Sequence, residues 1–233
     1  MRTCCGRDGG NGQSQYDGAR TPTLGAPPKK KLIHDSERDT PRVIELRAAF
    51  AGRIKAELAV LLPRLKFLDE FGVNLGLTRL YGRATPGERV VEATPGTSGP
   101  HYTVVAALGV TGVQAPLLFE GAMTTLIFET YVAEVLTPLL QSGEILLLDN
   151  LSAHKGGPAQ ATLEAAGVQV IFLPPYSPDL NPIEKCWAKV KQTLRTAKAR
   201  TWDDLVDALA KALRSVSPSD VLAWFVHCGY QPA

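Results

Sequence analysis

Three acidic residues stand where the side chains of an α/β sheet tend to converge. The apolar run of residues 65–68 ends on Asp69, and the run of residues 145–148 ends on Asp149. After 34 intervening residues comes Glu184, at the third position of a stretch opened by Asn181 and Pro182. Carboxylates gathered at one end of a sheet supply the hard oxygen donors that divalent cations take. Two such cations side by side suit in-line displacement at a phosphodiester. Each acid also has a plainer role. Asp149-Asn150 suits a turn or helix cap after a strand, and Asp69-Glu70 suits a turn. Asn181 with Glu184 fits an Asn variant of the capping box, with Pro182 as the first helical residue. Their conjunction is what favours metal binding over three separate caps.

The elements that must bring them together can be read from periodicity. Residues 35–62 suit a helix, with Val43, Leu46, Phe50, Ile54 and Leu58 at helical spacing, Pro41 near its start and Pro63 ending it. A short strand reaches Asp69. Residues 77–92 read as a hairpin turned at Thr85-Pro86-Gly87, and residues 101–110 with 113–119 as a second pair turned at Thr111-Gly112. A helix over 123–141 leads to the strand before Asp149. A helix near 158–166, a strand over 168–173 and a helix from Pro182 follow. In that last helix Ile183, Trp187, Val190 and Leu194 form one apolar stripe. Glu184 then lies about 100° from Ile183, on the stripe's edge. Amphipathic stretches over 202–213 and 218–225 close the chain. Antiparallel strands followed by strand–helix–strand–helix predict a mixed α/β sheet flanked by helices.

Composition excludes little: 233 residues, 45% apolar, 21% charged and a net charge of +2 describe an ordinary globular protein. The charge distribution is more informative. Lys185, Lys189, Lys191, Arg195, Lys198 and Arg200 follow Glu184 with no further acid among them, and Lys29-Lys30-Lys31 forms a second basic run. Basic clusters alone are usually solvated faces; beside a metal-binding triad they predict phosphate contacts. Residues 1–28 carry too little apolar surface to order. We therefore expect a disordered tail over 1–28, a helical lead-in over 29–62 and a catalytic domain over 63–233. The four cysteines show no zinc spacing, and the N-terminus lacks the order of a signal peptide. Residues 93–119 carry no charge, but Gly, Pro, Thr and Ser break them too often for a membrane span. A reduced, cytoplasmic protein is the expectation.

The segments LLLDNLSAHK and LPPYSPDLNPIEKCWAKVK resemble the catalytic signature of mariner-type transposases of the bacterial insertion-sequence branch. Those proteins belong to the DDE transposase and integrase superfamily, with a ribonuclease-H-like fold. The resemblance runs over about residues 29–215 and implies an Asp-Asp-Glu triad of Asp69, Asp149 and Glu184. Two Mg²⁺ (or Mn²⁺) ions would be held there, with Asp69 between them. It also places Asn150 and His154 beside the metals or the scissile phosphate, although a surface histidine is an equally plain reading of His154. Double-stranded DNA, both element ends and target, is the implied substrate, bound by a dimer at the bacterial nucleoid. No helix-turn-helix pattern precedes residue 40, so that part is expected from a second polypeptide, in trans or by frameshifting. Two other readings stay open: a non-catalytic DNA-binding or regulatory remnant, and a metal-dependent hydrolase of small phosphate esters.

Overall fold

A computed structural model describes residues 35–231 except 55, 56, 58, 59, 97, 98 and 150–156. Its centre is the strand β1 (Leu65–Asn74). On one side β1 pairs antiparallel with β2 (His101–Gly109), which pairs antiparallel with β3 (Gly112–Glu120). On the other side it pairs parallel with β4 (Ile145–Leu148), and β4 pairs parallel with β5 (Gln169–Phe172). The sheet order is therefore β3-β2-β1-β4-β5, mixed as the element order predicted.

Parallel neighbours need a crossover, and helices supply it. Helix α2 (Thr125–Tyr131) continues through a π turn at Val132–Leu136 and a 3₁₀ turn at Thr137–Leu139 before β4. Helix α3 (Gly157–Ala165) precedes β5. These pack on one face, where Phe128, Tyr131, Val132, Leu136 and Leu163 meet Leu68, Val105, Leu146 and Leu148. The opposite face is covered by α1 (Pro41–Arg53), α4 (Pro182–Ala197), α5 (Trp202–Arg214) and α6 (Pro218–His227). Because both faces are covered, β2 is buried from Tyr102 through Leu108, which is why these strands read as continuous apolar runs.

The α4 face carries the large aromatics. Trp187 is fully buried, with its ring centroid 4.7 Å from that of Phe71. Phe67 stands edge-on to Phe225 and Tyr230 at 5.3 and 5.0 Å. Each such side chain stabilises the fold by about 1.5–3 kcal/mol through burial. Cys186 and Cys228 are buried free thiols, and burial pushes the Cys186 thiol up to about 12. That suits packing rather than reactivity. No helix among the described residues is long and apolar enough to cross a membrane.

Three expectations are corrected. First, Asp69 does not end its strand: β1 continues through Glu70 to Asn74, because β2 pairs with it along that whole length. Second, residues 77–92 form no ladder. The turn closes, with the Glu88 N–H donating to the Thr85 carbonyl at 3.0 Å, but Leu80, Tyr81, Val90 and Val91 remain exposed with no sheet face to cover them. Third, the first helix is shorter than 35–62. Pro41 restricts Thr40 to an extended conformation (φ −69°, ψ 144°), so Ser36–Asp39 form a separate 3₁₀ turn, and α1 is regular only to Arg53. Pro63 lies within a 3₁₀ turn at Leu62–Arg64 rather than at a helix end.

Candidate active site

Side chains alternate across a strand, so Asp69 shares its face with Phe67 and Phe71, which pack beneath α4. Asp69 is only 8% exposed. The parallel ladder between β1 and β4 runs from Leu65 opposite Ile145 to Phe67 opposite Leu147. Asp149 follows β4 directly, two residues past Leu147, as Asp69 lies two past Phe67. The two acids thus leave adjacent strands at one level and on one face.

Glu184 arrives from β5. The Leu173 N–H donates to the Leu148 carbonyl at 2.7 Å, which extends the sheet to the start of the turn. Pro174 and Pro175 stiffen that turn, Pro178–Leu180 make one 3₁₀ turn, and Asn181 precedes α4. Glu184 sits in the helix's first turn, where the helix dipole favours an anion. Asp69, Asp149, Glu184, Asn181, Tyr176 and Ser177 line one open cleft of about 540 Å³.

Its electrostatics are those of crowded carboxylates. Burial, and then repulsion from Glu184, Glu70 and Asp149, push the Asp69 carboxyl up to about 8. The Glu70 N–H, donating to Asp69 Oδ1 at 2.9 Å, offsets only part of this. Burial also raises Glu184, with repulsion from Asp149 added and with Lys191 and Lys185 opposing. Among the described residues no three acid, histidine or cysteine side chains are gathered tightly enough to hold an ion as they stand. The donor set nevertheless fits one: three carboxylates around a cleft, and a buried Asp69 that neutral water does not ionise. A divalent cation would reverse that penalty.

The other predicted residues separate by their contacts. Asn150 and His154 lie outside the described residues. Lys189 donates to the Ser215 carbonyl at 2.8 Å and to Asp220 at 2.6 Å, tying α4 to the start of α6. Lys198, in a left-handed conformation at the end of α4, pairs with Glu92. Arg200 donates to the carbonyls of Leu75 and Leu77 at 2.8 and 3.0 Å. Lys191 lies 5.0 Å above the Phe71 ring, close enough to Glu184 to lower its carboxyl. Arg195 lines a groove of about 570 Å³ with Arg79, Tyr81 and Gln192.

Two features were not anticipated. Asn181 makes no side-chain cap; the residue is 4% exposed, with Oδ1 buried and unbonded among the described residues. Arg47 turns inward where Leu46 was expected, while Leu46 is 42% exposed. The Arg47 guanidinium reaches Asp179, Ser177 and the Tyr176 carbonyl. Against burial, these bonds hold the Asp179 carboxyl below its usual range. The sequence signal was an arginine four residues after Val43 and three before Phe50, on the inward stripe.

Residues 64–206 match a family described as DDE superfamily endonuclease. No curated protein matches the sequence. Among solved structures, the catalytic domain of Mos1 mariner transposase superposes with a TM-score of 0.64 at 16% identity, over 85% of this chain and 93% of that one. The Mos1 mariner paired-end complex with Mn gives 0.74 at 18%, and the Mos1 paired-end complex with left transposon end gives 0.72 at 19%. Each covers 88% of this chain, which spans only 64% of those longer chains. At such identities the likeness establishes the fold, which is ribonuclease-H-like as expected.

Proposed function

This chain belongs to the DDE superfamily endonuclease family, and we propose that it is the catalytic part of a transposase that cuts DNA and joins a 3′ end to a target. The observation that carries this reading is the convergence of Asp69, Asp149 and Glu184 on one open cleft, with Asp69 held up to about 8 by burial and by its acidic neighbours. Those three carboxylates would hold two Mg²⁺ or Mn²⁺ ions, which when bound would lower the pKa of an attacking water and stabilise a leaving 3′ oxygen.

The chain's own groups do the rest. The Glu70 N–H fixes one Asp69 oxygen. Lys185 and Lys191 favour the charged form of Glu184. The cleft is open at its mouth, which suits a polymer rather than an enclosed small ester. Lys185, Lys191 and Arg195 are the basic residues best placed to meet phosphates, since Lys189, Lys198 and Arg200 are engaged within the fold. Asn150 and His154 are proposed beside the metals on sequence grounds alone. The Mos1 complexes with Mn and with transposon-end DNA support this choice of cofactor and substrate. An insertion-sequence origin in bacteria and a dimer on DNA complete the proposal.

One observation favours a second reading. Among the described residues the acids are not drawn together tightly enough to hold an ion as they stand, as in a non-catalytic DNA-binding remnant. Nicking of a supercoiled plasmid with Mn²⁺ separates the two. Nicking by wild type that is lost in Glu184→Gln supports the enzyme, whereas DNA binding without nicking in both supports the remnant.

A further inference from the structure

We infer that Arg47 of the lead-in helix is a positioning residue for Glu184, acting through the turn that delivers it. The inference rests on Glu184 being one of the catalytic acids. That turn needs holding. Tyr176 has φ 54°, a left-handed conformation that residues bearing side chains rarely adopt. Arg47 is placed to hold it: one Nη1 donates to the Tyr176 carbonyl at 3.2 Å, to Ser177 Oγ at 2.5 Å and to Asp179 Oδ1 at 3.1 Å. Its Nη2 donates to Asp179 Oδ2 at 2.7 Å, which makes the pair bidentate. The Arg47 side chain is only 16% exposed, so it lies against the turn rather than out in solvent.

Neighbouring contacts point the same way. Arg38 donates to Asp179 Oδ2 at 3.2 Å, and the Tyr176 hydroxyl donates to the Glu37 carboxylate. Ser177 Oγ donates in turn to the Pro175 carbonyl at 3.0 Å. From the far side, the Tyr230 hydroxyl donates to the Leu180 carbonyl at 3.0 Å. Asp179 lies five residues before Glu184, with a 3₁₀ turn and the first turn of α4 between them. Displacement of Asp179 therefore passes directly to the start of α4. Arg47 lies outside residues 64–206, the part that matches the endonuclease family. It makes the lead-in helix a working part of the site rather than a connector.

The test compares Arg47→Ala and Arg47→Lys with Glu184→Gln, by hydrogen exchange without metal, Mn²⁺ titration calorimetry and strand-transfer kinetics. Arg47→Ala is expected to speed exchange over residues 176–184, to weaken Mn²⁺ binding and to lower kcat about 100-fold, the scale of a displaced catalytic group. KM for DNA should stay within about twofold of wild type, as a positioning role requires. Arg47→Lys, which keeps the charge and stem but loses the fork, should fall between; it also serves if Arg47→Ala does not fold. Wild-type exchange and Mn²⁺ affinity in both variants would overturn the inference, as would a loss confined to KM, which would make Arg47 a DNA contact. If Glu184→Gln itself stays active, the reading of the site fails; if it is dead while the Arg47 variants are unaffected, only the positioning role fails.

Discussion

Asp69 on β1 and Asp149, which directly follows the parallel strand β4, each stand two residues past the paired Phe67 and Leu147. β1 continues beyond this level against β2, whereas β4 stops. From α4, Glu184 reaches the cleft that both acids line. Asp69 is thus buried and yet lines the cleft.

That burial predicts a pH-dependent stability. A carboxyl raised in the folded state from 3.8 to about 8 contributes stability that is complete below the unfolded value and is lost as pH rises through about 8. Metal-free Asp69→Asn should therefore melt higher than wild type, by a gap that widens from pH 4 to pH 8 and is flat above. Melting curves in EDTA at pH 5 and pH 9 measure it. An equal gap at both would mean that Asp69 is not the strained group.

Mn²⁺ should close that gap from the other side. A ligand that binds only the folded state stabilises it, so added Mn²⁺ should raise the melting temperature of wild type at pH 8 and leave Asp69→Asn almost unmoved. Equal shifts in both proteins would place the binding elsewhere.

In the core beneath the site, Trp187→Ala should cost about 3–5 kcal/mol, because the ring is fully buried against Phe71. Trp187→Phe should cost much less, since the indole Nε1 has no hydrogen-bond partner among the described residues and nothing polar is lost with it. Urea unfolding of the two variants tests this, and similar losses would contradict the packing described.

The basic residues of α4 should divide into two groups. Lys191→Ala and Arg195→Ala are each expected to weaken DNA binding and to reduce the slope of log affinity against log salt by about 1. Lys189→Ala should lower the melting temperature by freeing Asp220 and Ser215, with the salt slope unchanged. Fluorescence anisotropy at several salt concentrations would show a single undivided group if this assignment is wrong.

What was legible in the sequence follows from how each segment is buried. β4, β5 and α4 lie between two layers, so their apolar runs and the Ile183–Leu194 stripe were plain, and Asp149 and Glu184 came with them. The full length of β1 is hidden in the sequence because Glu70, Gly72 and Asn74 interrupt its apolar run, although pairing with β2 carries it through. Residues 77–92 alternate like a hairpin, yet no layer covers them. Helical spacing admitted Leu46 as readily as Arg47, and only the turn at Tyr176 and Asp179 decides which faces in. The engaged state of Lys189, Lys198 and Arg200 depends on partners far along the chain, which a charge pattern does not reveal.

The most direct test of the central claim is strand transfer on a duplex with a pre-exposed 3′ end, comparing wild type with Asp149→Asn. Removing one ligand charge with little change of shape should lower the rate by roughly a thousandfold or more. Joined product is expected from wild type only when Mn²⁺ or Mg²⁺ is present, and essentially none from Asp149→Asn. Equal product from the two proteins, or product that persists in EDTA, would contradict it.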